Sequence, residues 1–200
     1  MAVPVIESKN TDSGVSKTSL VITKPTGLAV GDLLLCIIGG YDAGAFTTPA
    51  GWTSEESYAG AGSNRAYAFS KIADSGDVAA SNFTFTVTSG NFDFVSGVLF
   101  RITGHAPTNY ITLSEVDQDP TGTTSSLSYT TALTPANINS LLIFSYGANN
   151  ADPTGVPTVG SYGSTPSATW TEEADLGLDQ GGLSNGWAFG VASAPYTGFT

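Results

Sequence analysis

Two hundred residues with 40% hydrophobic content are enough for one well-cored domain, but only 12% are charged, about half the usual share. Such a surface, filled out by Ser, Thr, Asn and Gly, suits strands and disfavours long exposed helices. Seventeen acidic residues against six basic ones give a net charge of −11, and without a Lys/Arg cluster this repels phosphate backbones and anionic lipid, so neither nucleic acid nor membrane is an expected partner.

The N-terminal stretch Met1–Glu7 has no basic region followed by an apolar run of signal length, so no signal peptide is expected. The longest apolar runs fall far short of the ~20 residues that span a bilayer. Leu33-Leu34-Leu35-Cys36-Ile37-Ile38 is apolar on both faces, as are Val98–Ile102 and Leu141–Phe144. These three runs read as central strands sandwiched between layers, because β-branched and aromatic residues dominate and glycine bounds them. Cys36, the single cysteine, reads as a small buried hydrophobe. Tyr67 and Phe69 alternate with Ala66, Ala68 and Ser70, and Phe83, Phe85 and Val87 alternate with Thr84, Thr86 and Thr88. Both are the period-2 pattern of a strand with one buried face. Tyr110-Ile111-Thr112-Leu113 also looks strand-like. Turn clusters punctuate the chain at Thr48-Pro49-Ala50-Gly51, Thr103-Gly104, Asp119–Gly122 and Asp152–Gly155, and no segment carries helical periodicity.

The strand pattern is used twice. Gly31-Asp32-Leu33-Leu34-Leu35 is answered by Asn139-Ser140-Leu141-Leu142-Ile143. Gly51-Trp52-Thr53-Ser54-Glu55-Glu56 is answered by Thr169-Trp170-Thr171-Glu172-Glu173. Arg65-Ala66-Tyr67-Ala68-Phe69 is answered by Asn185-Gly186-Trp187-Ala188-Phe189. The expected fold is therefore all-β: one antiparallel β-sandwich over residues 1–200, with pseudo-repeats at about 15–105 and 124–200. In the second copy the counterparts of the Phe83 strand and of Phe94–Phe100 are absent. Either the natural chain continues past Thr200, or a neighbouring subunit supplies the missing edge near Phe199.

Candidate chemistry is sparse. His105 is the only histidine, so it cannot build a usual zinc site and has no partner that would make a triad. Asp42, Asp93, Asp117, Asp119, Asp152, Asp175 and Asp179 are scattered; Asp117/Asp119 has the spacing of some calcium loops without the remaining ligands. Glu55-Glu56 and Glu172-Glu173 recur after a tryptophan, but neighbours on a strand point to opposite faces, so these read as surface residues flanking a strand. Trp52, Trp170 and Trp187 could stack on sugar but read better as core anchors. Gly60-Ala61-Gly62 lacks the lysine of a phosphate cradle, and the sequon at Asn82 lies in a strand. No catalytic, cofactor or metal residue is assigned, and no cofactor is expected.

Gly31–Leu35, Pro49-Ala50-Gly51-Trp52-Thr53, Phe83-Thr84-Phe85 and Gly97–Gly104, with weaker second copies at Ser140–Ile143 and Thr169–Thr171, resemble a family of bacteriophage virion proteins with a duplicated β-sandwich. The resemblance implies a jelly-roll-like sandwich and a non-enzymatic structural protein assembled in the host cytoplasm: a capsid decoration (cement) or head-fibre protein on the particle exterior. Its partners would be the major capsid protein or other virion proteins, and its own copies in a homo-oligomer, a trimer being favoured. A tail-fibre or adhesin module that binds host glycan through Tyr41 or Tyr162 is the alternative, and a hydrolase on a sandwich scaffold the third.

Overall fold

The computed structural model describes residues 3–42, 44–59, 64–108, 110–111, 139–150, 171–179 and 186–196. They form eleven strands and one short helix. In chain order these are β1 (Val5–Lys17), β2 (Ser19–Thr23), β3 (Leu33–Tyr41), β4 (Ala45–Phe46), β5 (Thr53–Ala59), β6 (Asn64–Ile72), α1 (Ser75–Ala79), β7 (Asn82–Ser89), β8 (Phe92–Thr103), β9 (Ser140–Asn150), β10 (Thr171–Asp179) and β11 (Gly186–Tyr196). All pairings are antiparallel. They build a five-stranded sheet in the order β1-β8-β3-β6-β5, and two three-stranded sheets, β2-β7-β4 and β10-β11-β9. The chain is all-β, as its composition requires.

The five-stranded sheet lies in the middle. Leu34, Cys36 and Ile38 point to one side, where they meet Leu20 and Ile22 of β2 and Phe83, Phe85 and Val87 of β7. Leu33, Leu35 and Ile37 point to the other, where Ala174, Val191, Leu141 and Ile143 of the second three-stranded sheet meet them. This explains why β3 and β8 read as continuous apolar runs: both faces of each are buried. β7 has one wet face, so its sequence alternates. Its Phe83, Phe85 and Val87 are buried while Asn82, Thr84, Thr86 and Thr88 are exposed.

The third apolar run, Leu141–Phe144, is half-buried; among the described strands β9 pairs with β11, and Leu141 and Ile143 pack on the layer between the central and second sheets. Tyr110 and Ile111 do not belong to a strand; they pack onto the same layer, and Thr112-Leu113 lies outside the described residues. Helix α1 was not anticipated. Five residues cannot show periodicity, yet its start is a capping box: the Asp74 side chain accepts from Asp77 N–H, and the Asp77 side chain accepts from Asp74 N–H, satisfying two orphan donors.

β3, β6 and β5 adjoin in the same order as β9, β11 and β10. Gly31, just before β3, has φ of 94°, and Asn139, just before β9, has φ of 71°. Asparagine is among the few residues other than glycine that enter this region readily.

Candidate functional site

The two glutamate pairs were the strongest acid candidates, so their surroundings decide most. Along β5, Thr53 and Ser54 pair with Ser70 and Phe69, but the next partner, Ala68, faces Glu56. Glu55 is the extra residue of a β-bulge. Along β10, Thr171 and Glu172 pair with Ser193 and Ala192, and Ala174 then faces Val191. Glu173 is the extra residue of the equivalent bulge. In each copy the bulged carboxylate accepts a hydrogen bond from the serine opposite the threonine that opens its strand. Ser70 Oγ donates to Glu55 Oε1, and Ser193 Oγ donates to Glu173 Oε1 at 2.6 Å.

A bulge re-aims a side chain that alternation would send elsewhere, which corrects the surface reading of these acids. Glu173 is 11% exposed and its other oxygen takes Lys9 Nζ at 2.6 Å, tying β10 to β1. Both carboxylate oxygens are thus engaged. Glu172 is exposed, and Glu56 accepts from the adjacent Ser57 N–H at 3.1 Å. Glu55 and Glu173 are thus held by the fold, on strands that are outermost among the described ones, where charge and a bulge also discourage stray strand pairing. Beside Glu173 a groove of about 300 Å³ is lined by Val3, Pro4, Val5, Ile6, Leu141, Ser193 and Pro195. Its walls are apolar and Glu173 is the one ionisable group among them, so it offers a surface for packing rather than acid–base chemistry.

A second polar cluster stands at the turn before β3. Asp32 receives Arg101 Nε at 2.6 Å and Ala29 N–H at 2.9 Å through the same oxygen. His105 lies beside it, with Nε2 2.9 Å from Gly31 O and Nδ1 2.8 Å from Ala106 O. Its ring meets Tyr110 edge-on at 6.0 Å. Histidine here joins the end of β8 to the turn, and among the described residues its ring nitrogens meet only backbone carbonyls. In this cluster the turn before β3 and strand β8 are joined by the Asp32–Arg101 ion pair.

Trp52 is a core anchor. Its ring meets Phe83 at 5.8 Å and Phe85 at 5.3 Å, both edge-on, which leaves it unsuited to stacking on sugar. Trp170 lies outside the described residues, as do Asp117, Asp119, Asp152, Tyr162, Gly60-Ala61-Gly62 and Phe199. Trp187 lies on β11 but does not answer Tyr67. The ladders put Val191 opposite Ser145, and Ser193 in the place of Ser70; Gly190 then holds the Tyr67 position. Tyr41 is half-buried and packs on the layer between the central and second sheets, which takes it out of a sugar-binding loop. Cys36 is fully buried and its thiol is pushed well up by desolvation, so it behaves as a hydrophobe. Lys71, which sequence reading passed over, bridges to Asp77 at 2.8 Å and Asp74 at 3.1 Å.

Among the described residues no group of three or more His, Cys, Asp and Glu side chains is placed to hold a metal ion, and no helix is long and apolar enough to cross a membrane. No family description, curated protein or solved structure matches the chain.

Proposed function

We propose that the chain is a non-enzymatic structural protein of a bacteriophage particle, a decoration or head-fibre protein on the exterior of the capsid, built as a jelly-roll-like sandwich and working as a homo-oligomer, a trimer being the favoured form. One observation carries this reading: the carboxylates that a hydrolase would need, Glu55 and Glu173, occupy the same bulge in two copies of one motif and are each held by a serine of the neighbouring strand. Acids placed identically by a duplication serve the scaffold, since a catalytic pair must face one another across a cleft. The resemblance to duplicated virion sandwiches rests on motifs that have a physical role here, Asp32 and Arg101 among them. A surface low in charge and rich in Thr and Ser also suits close side-by-side packing. Its partner would be the major capsid protein.

The test is sedimentation of purified protein with capsids stripped of exterior proteins, followed by imaging of the particles. Saturable binding at repeated surface positions is expected. A chain that stays monomeric and in the supernatant at every concentration would refute the proposal, and saturable signal on a glycan array would turn it toward an adhesin.

A further inference from the structure

We draw no further inference here: the strongest candidate, the exposed and uncharged outer face of the β2-β7-β4 sheet formed by Val21, Thr23, Thr84, Thr86 and Thr88, carries nothing because nothing in the structure shows what covers it.

Discussion

Gly40→Ala is expected to destabilise the protein through a single ring. A Cβ at Gly40 would stand 2.7 Å from Phe92 Cδ1 and 2.8 Å from Cε1, against ~3.5–4.0 Å for carbons in contact. The ring would have to move by about 1 Å. It cannot do so freely: Phe92 is fully buried, its far edge lies so near Gly44 that a Cβ there would stand 2.8 Å from Phe92 Cε2, and Phe46 stacks on it at 5.1 Å. Overpacking of this kind costs ~1–3 kcal/mol, offset by ~0.4–1 kcal/mol from the stiffer unfolded chain. A net loss of ~1–2 kcal/mol lowers the urea midpoint by about 1 M at a typical denaturant slope. The decisive assay is a double-mutant cycle with Phe92→Leu. Removing the ring edge removes the clash, so Gly40→Ala in that background should cost well under half its original penalty. An unchanged midpoint for the single variant, or the same penalty in both backgrounds, would refute the reasoning.

Asp32→Ala should cost about 2–3 kcal/mol in chemical denaturation, because Arg101 and Ala29 N–H lose the acceptor they share; replacing Arg101 by Met in the same chain should recover part of it. Asp74 has its carboxyl held below the ordinary range, first by the Asp77 N–H and then by Lys71. Its contribution is therefore complete above about pH 4 and withdrawn as the pH falls through the lower folded value, so melting curves of wild type and Asp74→Ala should converge toward acid. Cys36 should resist thiol reagents in the folded protein and react fully in urea; rapid modification of the native chain would contradict its burial.

Much of the fold was legible because burial writes directly into sequence. Where a strand has one wet face, as at Phe83–Thr88, alternation names the buried side chains. Where layers cover both faces, as at Leu33–Ile38, the run is continuous. At Leu141–Phe144 the run marks a half-buried strand whose Leu141 and Ile143 face the layer between the sheets. The bulges at Glu55 and Glu173 were illegible because one inserted residue leaves no mark on composition. They in turn hid the correspondence of β6 with β11. Matching aromatic to aromatic set Trp187 against Tyr67, whereas the ladders give that place to Gly190. The Asp32–Arg101 pair joins residues far apart in the chain, and only the turn at Gly31 brings them to one corner.

The two copies differ where the layers overlap unequally. β10 packs on β1 and β8, β11 on β8, and β9 on β3 and β6, so the described strands of the second sheet are displaced toward β1 and away from β5. Positions equivalent in the duplication therefore meet different surroundings. Glu56 and Tyr58 on β5 answer to Ala174 and Leu176 on β10 through the shared bulge. The former stay polar and half-buried, while the latter are apolar and face the layer between the sheets. An ionised glutamate in place of Ala174 would have to enter that layer without a counter-charge, so the second copy could not keep it. Glu173 could be kept because the same displacement sets Lys9 within reach, with Ser193 on its other oxygen. The stacking offset thus accounts both for an apolar residue at 174 and for an acid at 173.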